Sequence, residues 1–307
     1  MTRAQAVSTA KAASATHAVS AMQTASATHA VSAARAGDRW LIALDVDGTV
    51  LREDGSLSQR VIDAVQRVQS LGHEVTLCTG RSVAMTLPIL DRLGITPQFV
   101  VSANGAIILR RDLDAPTAYV RELVETFDPS EVLTTIRGHL EGARYAVENE
   151  DGSFLYSGGE FPEGDIEANG SHVEFDGLLG ARATRVVVIS PGHAIEDFLA
   201  VVERMGLHRV SYNVGWTAWL DIAPDGVNKS VALERVREKL EIPRKRVMAI
   251  GDGRNDIEML EWASKYGRGV AMGQSPAEVT AVASETTGSD VDDGVAVTLE
   301  AFGLPGR

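Results

Sequence analysis

The sequence predicts an α/β protein in which a doubly wound, Rossmann-like parallel sheet carries an inserted α+β domain. Apolar strands alternate with amphipathic helices over residues 38–113, and the same alternation returns over residues 222–307. The segment between them, 114–221, is richer in strands and poorer in helices. Acidic residues and turn signals directly follow two of the apolar strands, which is where open sheets of this class bind ligands. We therefore expect a functional site at the carboxyl edge of the parallel sheet.

The first predicted strand is the apolar run 41–44, whose composition is typical of a strand buried on both faces. Asp45 and Asp47 follow it, and Gly48-Thr49 then gives a turn signal. Two carboxylates at one strand end repel each other and lose solvation unless a divalent cation or a shared proton offsets this cost. The alternative interpretation is an Asp-Gly turn with no function.

The elements that follow continue the alternation. Val61, Val65 and Val68 recur at helical spacing within the segment 57–71. We expect strands at 74–79 and 99–103, a helix through 87–93, and a further apolar run at 106–109. Consecutive units of this kind form parallel sheets with right-handed crossovers.

The inserted domain has its own pattern. We expect a helix at 128–143, short strands within 144–156, a strand at 184–190, a helix at 194–205 and two strands around Gly215. The α/β pattern then resumes with a helix through Leu233, a strand at 247–250, a helix at 257–263 and a strand at 267–272.

Residues 1–37 differ in composition from the rest of the chain. They contain no Asp or Glu, carry three positive charges, and repeat the segment 14–21 word for word as 26–33. This composition predicts a disordered extension, with a transit peptide as the alternative. The predicted organisation is therefore an extension at 1–37, a core domain at 38–113 and 222–307, and an inserted domain at 114–221.

Overall composition limits the partners. A formal net charge of −13 argues against nucleic acid and anionic membranes as general partners. The single Cys78 excludes an intrachain disulfide, and no apolar stretch has the length that a membrane helix needs. We expect a cytoplasmic protein that is a monomer or a homodimer.

Three later segments carry candidate site residues. Thr79-Gly80-Arg81 follows the second strand, where a hydroxyl and backbone N–H groups could hold phosphate oxygens, although a capped helix start would have the same sequence. Asn104-Gly105 between apolar runs is a hairpin turn signal. Lys229 begins a helix, a position that the helix field disfavours for a cation and that therefore favours an anionic partner, with a solvated surface lysine as the alternative.

A second acidic pair lies in Gly251-Asp252-Gly253-Arg254-Asn255-Asp256, between a strand and a helix. Together with Asp45 and Asp47 it would make an oxygen-only site, which suits Mg²⁺. A helix cap with acids in the first turn is the alternative, but it does not explain why another strand end also carries two acids.

These motifs resemble those of the haloacid dehalogenase (HAD) superfamily. Asp45-x-Asp47-Gly48-Thr49 is similar to its first motif, and Thr79, Lys229 and the 251–256 segment follow in the family's order. Ser102-Ala103-Asn104-Gly105-Ala106 and Asn228-Lys229-Ser230 resemble the Cof-type branch. The inserted domain lies between the second and third motifs, as a type-II cap of subclass B does.

The resemblance implies a Mg²⁺-dependent phosphohydrolase that acts on a small phosphorylated metabolite such as a sugar phosphate. Asp45 would form an aspartyl-phosphate, and Asp47 would serve as acid and base. The implied phosphoryl and substrate contacts are Thr79, Gly80, Arg81, Asn104, Lys229 and Asn255. The implied metal ligands are Asp45, the backbone carbonyl of Asp47, Asp252 and Asp256, the last directly or through water.

Two other functions remain open at this point. A phosphosugar mutase would share the fold and the Asp-x-Asp start, and a non-catalytic protein would bind phosphometabolites on the same scaffold. Within the cap, Tyr212, Asn213, Trp216 and Trp219 are candidate substrate contacts, with sheet packing as the alternative.

Overall fold

The structure is a computed structural model that describes residues 38–161, 166, 168–207, 210–214 and 218–302. The predicted N-terminal extension and Trp216 lie outside these residues. The described residues group into one compact unit. The strands are β1 (Leu41–Leu44), β2 (Glu74–Leu77), β3 (Phe99–Ser102), β4 (Ile107–Arg111), β5 (Tyr119–Val124), β6 (Arg144–Asn149), β7 (Phe154–Ser157), β8 (Gly170–His172), β9 (Ala183–Ile189), β10 (Val210–Val214), β11 (Trp219–Pro224), β12 (Val247–Gly251), β13 (Arg268–Ala271) and β14 (Glu285–Thr286). The helices are α1 (Gln59–Ser70), α2 (Val83–Leu93), α3 (Ser130–Arg137), α4 (Ile195–Met205), α5 (Lys229–Lys239), α6 (Ile257–Ser264), α7 (Ala277–Thr280) and α8 (Gly294–Glu300).

A five-stranded parallel sheet forms the centre of the core domain. Its strand order is β14-β13-β12-β1-β2, with β1 between β12 and β2. All four residues of β1 are fully buried, because Ile42 and Leu44 pack in the layer of α1 and α8 while Leu41 and Ala43 pack in the layer of α5 and α6. Helices on both faces explain the continuous apolar composition, and the prediction of a doubly wound α/β core is confirmed.

The strand after α2 begins a second, three-stranded sheet. β3 lies beside the end of β2 through a parallel bridge between Cys78 and Val101. β4 turns back antiparallel to β3, and β5 pairs antiparallel with β4. The turn between β3 and β4 is the predicted Asn104-Gly105 hairpin, with Ala103 and Asn104 both at a φ of 50°.

The inserted domain contains a six-stranded sheet of order β10-β11-β9-β6-β7-β8, with α3 and α4 packed on one face. The predicted helix at 128–143 is wrong beyond Arg137, because the chain leaves α3 at Gly138 and turns through Gly142 at a φ of 72°. The short β8 is a strand that the sequence did not predict.

Strand pairing bears on where the inserted domain begins and ends. β5 belongs to the three-stranded sheet beside the core, although residues 119–124 fall in the predicted insertion. β11 continues to Pro224 in the sheet of the inserted domain. The division into domains stays a proposal, and this pairing favours boundaries near residues 125 and 225.

Within the described residues, no helix is both long and apolar enough to cross a membrane.

Candidate active site

The carboxyl end of β1 carries the predicted nucleophile. Asp45 is buried, and its backbone N–H donates to the Ile250 carbonyl at 2.9 Å, which joins the ends of β1 and β12. Gly48 lies three residues on at a φ of 70°, and a Cβ there would overlap the Asp252 carboxylate. The loop after β1 therefore requires glycine, both for its left-handed backbone and for its close approach to Asp252.

Lys229 bridges two of the predicted carboxylates. Helix α5 begins at this lysine because Asn228 Oδ1 caps it, accepting the N–H of Val231 at 3.0 Å. Lys229 Nζ donates to Asp45 Oδ1 and to Asp256 Oδ1, each at 2.6 Å, and no part of its side chain is exposed. Burial removes the ammonium group of Lys229 from water, and the two ion pairs offset the free-energy cost of that desolvation.

Asp256 is held on both of its oxygens. While Oδ1 accepts from Lys229, Oδ2 accepts the backbone N–H groups of Asp252 and Gly253, each at 3.0 Å. A Cβ on Gly251 would lie 2.5 Å from this carboxylate, so the strand end must also be glycine. Asp256 therefore fixes the loop after β12 and the position of Lys229.

The electrostatics of this cluster are dominated by burial. Burial, followed by repulsion from Asp256, holds the pKa of Asp45 well above its ordinary value despite the attraction of Lys229. Burial and Asp256 likewise raise the pKa of Asp252 to about 7. Burial alone would lower the pKa of Lys229, but attraction to Asp256 and Asp45 exceeds that effect and its pKa is raised.

These groups fit a divalent cation. Oxygens of Asp45, Asp252 and Asp256 lie within 4.8 Å of one another, and Lys229 provides one positive charge against three carboxylates. A second positive charge would reverse the elevation of the two carboxyl pKa values, and an oxygen-only donor set suits Mg²⁺. Asp45 and Asp252 are the best placed direct ligands, because Asp256 already accepts three hydrogen bonds.

Asp47 lies apart from this cluster. Its carboxylate accepts two hydrogen bonds from Arg81, from Nε at 2.8 Å and from Nη2 at 2.5 Å. Its side chain is 61% exposed. The side chain is not among the clustered carboxylates of the described residues. The metal contact that the resemblance implies for the backbone carbonyl of Asp47 stays a prediction.

The loop after β2 packs against the hairpin after β3. Thr79 is buried, and its Oγ1 accepts the N–H of Arg81 at 3.2 Å. A Cβ on Gly80 would lie 3.0 Å from the Asn104 amide, and Asn104 Oδ1 accepts a hydrogen bond from Asn255 at 3.1 Å. The predicted residues after β2, β3 and β12 are thus brought together at one edge.

Sequence reasoning missed three residues at this edge. Thr49 Oγ1 lies 3.4 Å from Asp252 Oδ1, and Gln274 donates to the Gly48 carbonyl at 2.5 Å. From the cap, Arg185 donates to the Gly80 carbonyl. Gln274 follows the end of β13, so the strand-end rule could have found it. Arg185 is a charged residue inside an apolar strand, which was the available signal.

Comparison with known proteins identifies the family. A model of the haloacid dehalogenase-like hydrolases matches residues 42–299, which is most of the chain. The chain belongs to this family.

The relatives described here are named as phosphatases, and the chain matches them over nearly their whole length. The 5-amino-6-(5-phospho-D-ribitylamino)uracil phosphatase YitU of Bacillus subtilis (strain 168) is 28% identical over 276 residues, covering 86% of this chain and 97% of its own. Phosphatase YwpJ of the same organism is 28% identical over 287 residues, covering 83% and 97%. Among solved structures, the HAD subclass IIB sugar phosphatase BT4131 has a TM-score of 0.71 at 20% identity, covering 86% of this chain and 99% of its own.

These findings confirm three predictions. The family is HAD with the Cof-type branch, the fold is a Rossmann-like core with a cap, and the enzyme is a phosphatase.

Proposed function

We propose that this protein is a Mg²⁺-dependent phosphohydrolase that cleaves small phosphomonoesters through an aspartyl-phosphate on Asp45. The observation that carries the proposal is the buried Asp45–Lys229 contact of 2.6 Å beside Asp252, at the carboxyl edge of the parallel sheet. It provides a fixed nucleophile, a fixed cation and an oxygen-only metal site in one place. The names of the relatives support a small phosphorylated substrate, such as a sugar phosphate or a phosphoribityl compound.

Asp45 attacks the phosphorus of the bound monoester. Lys229 contacts Oδ1, so Oδ2 is the attacking oxygen. The ammonium group orients the carboxylate, and a bound divalent cation would favour its ionised form. Lys229 and Thr79 hold the phosphoryl oxygens. Mg²⁺, held by Asp45, Asp252 and the Asp47 carbonyl with Asp256 directly or through water, would offset the repulsion between carboxylate and phosphoryl group.

Asp47 moves the protons. It lies two residues beyond the nucleophile with an exposed carboxyl group, so it can protonate the leaving oxygen and later deprotonate the attacking water. Arg81 must leave Asp47 when that carboxyl carries a proton, and it then binds the phosphoryl group or the leaving oxygen. Gly80, Asn104 and Asn255 shape the adjoining substrate surface. The cytoplasmic location and the monomeric or dimeric state remain part of the proposal.

Phosphate release from a panel of phosphomonoesters tests the proposal. We expect turnover by the wild type with Mg²⁺, none with EDTA, and none by Asp45→Asn, whose circular dichroism should match the wild type. Near wild-type turnover by Asp45→Asn would overturn the assignment of the nucleophile. Transfer of the phosphoryl group between sugar positions without release would identify a mutase, and binding without either reaction would identify a scaffold.

A further inference from the structure

The three backbone carbonyls of residues 79–81 are held by two parts of the chain. The hairpin after β3 donates backbone N–H groups to the carbonyls of Thr79 and Arg81, at 3.0 and 2.9 Å. The Gly80 carbonyl between them accepts instead from Arg185, which lies in the cap strand β9. The cap therefore supplies one of the contacts that fix this loop at the catalytic edge.

Arg185 is held in place by acidic residues of the neighbouring cap strands. Only 3% of its side chain is exposed, although the other residues of β9 are Ala, Thr, Val and Ile. Burial of a guanidinium group costs free energy unless acidic groups offset it. Asp221 of β11 forms an ion pair of 3.0 Å with its Nε, and the buried Glu148 of β6 lies opposite Arg185 in the strand register. Because the guanidinium group is planar and rigid, the ion pair at Nε also directs Nη1, which donates to the Gly80 carbonyl.

A crevice of about 660 Å³ lies between the cap and the core beside this contact. Val83 and Leu87 of α2 line its core side, and Glu148 and Gly152 line its cap side. Glu148 is the register partner of Arg185, so the arginine lies at the border of the crevice. The arginine thus reaches the core beside open space, where a small movement of the cap would break the contact.

The peptide unit between Gly80 and Arg81 transmits the contact to Thr79. A trans peptide unit is planar, so its carbonyl and its N–H point in opposite directions. The carbonyl accepts from Arg185, and the N–H donates to Thr79 Oγ1 at 3.2 Å. A turn in which a threonine hydroxyl accepts a nearby N–H is weak by itself. The contact with Arg185 therefore strengthens the orientation of both groups.

The orientation of the Thr79 hydroxyl decides where its proton can be donated. A hydroxyl group has one donor proton and two acceptor lone pairs. While Oγ1 accepts the N–H of Arg81, its own proton can be donated to another acceptor, and the proposed function places a phosphoryl oxygen there. A donor that is oriented before the reaction stabilises developing charge without a cost of reorganisation.

We propose that Arg185 is a positioning residue that orients the Thr79 hydroxyl for the phosphoryl group through the Gly80–Arg81 peptide unit. The cap then completes the phosphoryl site only while it lies over the catalytic edge. The proposal rests on the proposed function, which assigns Thr79 to the phosphoryl oxygens, and it assigns no substrate contact to Arg185.

A double-mutant cycle tests whether Arg185 acts through Thr79. Arg185→Met should lower kcat by about tenfold or more with little change in KM, because it misplaces a donor that acts in the transition state. Thr79→Val keeps the branched shape and removes the hydroxyl, so kcat should fall by about 10²–10³. In the Thr79→Val background, Arg185→Met should have no further effect on kcat. Equal effects of Arg185→Met in the two backgrounds would overturn the proposal.

Arg121→Met is the matched control. Arg121 Nη2 of β5 donates to the Asp151 carbonyl at 2.8 Å, so this arginine also joins the core side to the cap through a backbone carbonyl. That carbonyl belongs to the turn between β6 and β7 and not to the catalytic loop. Arg121→Met should therefore leave kcat unchanged. A loss of kcat equal to that of Arg185→Met would show that any contact between cap and core has this effect, and would overturn the specific role of Arg185.

Amide hydrogen exchange separates this proposal from the proposed function, because it needs no turnover. In the metal-free protein, NMR should show the Arg81 N–H exchanging about tenfold faster in Arg185→Met than in the wild type, as loss of one hydrogen bond provides. Arg121→Met should leave this rate unchanged. Unchanged exchange in Arg185→Met would overturn the proposal even if the wild type is an active phosphatase. Faster exchange would uphold the contact's effect on the loop even if the wild type released no phosphate.

A charge-matched variant replaces Arg185→Met in both experiments if that variant does not fold. Arg185→Gln combined with Asp221→Asn removes one cation and one carboxylate together, and glutamine lacks the reach of arginine toward the Gly80 carbonyl. The same loss of kcat, its absence in the Thr79→Val background and the same faster exchange are expected. Wild-type kcat and wild-type exchange in the folded variant would overturn the proposal.

Discussion

Two cation–carboxylate groups lie at the same edge of the core sheet and differ in their exposure to water. Lys229 contacts Asp45 and Asp256 at 2.6 Å, with Lys229 and Asp256 fully buried. Arg81 contacts Asp47 at similar distances, but the Asp47 side chain is 61% exposed. Distance does not distinguish the two groups, and burial does.

The difference in exposure suits the different roles that we propose for the two groups. A buried pair cannot separate without leaving a charge in a dry environment, so it holds Asp45, the proposed nucleophile, in one position. An exposed pair contributes little stability and separates readily, so a carboxyl group in it can exchange protons and change partners. The site thus combines a buried group, Lys229 with Asp45 and Asp256, that is held in place, and an exposed pair, Arg81 with Asp47, that can separate.

Removing the buried cation should have the largest effect on stability. Lys229→Met leaves Asp45 and Asp256 without their cation, so we expect the free energy of unfolding to fall by about 3–5 kcal/mol. Urea denaturation measures it. The control is Lys239→Met, because Lys239 contacts Glu122 at the same 2.6 Å but is 45% exposed. The control should lose less than about 1 kcal/mol, and equal losses would contradict the distinction.

Neutralising the exposed carboxylate should separate activity from stability. Asp47→Asn removes the proposed acid and base, and we expect kcat to fall by about 10²–10⁴. Because the Arg81 pair is exposed, the free energy of unfolding should change by less than about 1 kcal/mol. A stability loss as large as that of Lys229→Met would show that the exposed pair is as rigid as the buried one.

The effect of Mg²⁺ on the stability of the folded chain should depend on pH, because Mg²⁺ and protons compete for the buried carboxylates. The pKa of Asp252 is about 7 in the folded chain against an ordinary value of 3.8, so between these values the folded state binds more protons than the unfolded state. Metal-free stability should therefore fall as pH rises through this window. Mg²⁺ competes with those protons, so it should raise the melting temperature more at about pH 8 than at about pH 5.

Thermal unfolding in EDTA and in Mg²⁺ at both pH values measures this. Asp252→Asn should lose most of the Mg²⁺ effect. Equal stabilisation by Mg²⁺ at the two pH values would contradict the linkage.

The smallest expected effect concerns a residue that orients the metal site. Gln274 donates to the Gly48 carbonyl and contacts Asp252, so Gln274→Leu should weaken Mg²⁺ affinity by about tenfold. Isothermal titration of the metal-free protein measures the affinity without turnover. An unchanged affinity would leave Gln274 with a packing role only.

The catalytic edge was predictable because its residues follow strand ends. Asp45, Thr79 and Asp252 are far apart in sequence, but parallel strand order brings their strand ends together. Lys229 was found because a cation at a helix start needs an anionic partner, and it has two. The specific pairing of Asp47 with Arg81 was not predictable, since either residue had several possible partners.

The cap and its contact with the core were less predictable. Arg185 reaches Gly80 only because of how the cap sheet lies over the core, and no local pattern encodes that placement. Residues 119–124 fall in the predicted insertion, yet pairing with β4 places β5 beside the core, and no local pattern encodes that pairing. The end of α3 at Arg137 depends on a turn whose backbone favours Gly142.

The most direct test is to trap the covalent intermediate. The enzyme is mixed with a good substrate and Mg²⁺, quenched in acid during turnover, digested, and its peptides are weighed by mass spectrometry. We expect the peptide containing Asp45 to gain the mass of one phosphoryl group, with no gain in Asp45→Asn. Phosphate release at the full rate with no labelled peptide, or a label on any other residue, would contradict an aspartyl-phosphate on Asp45.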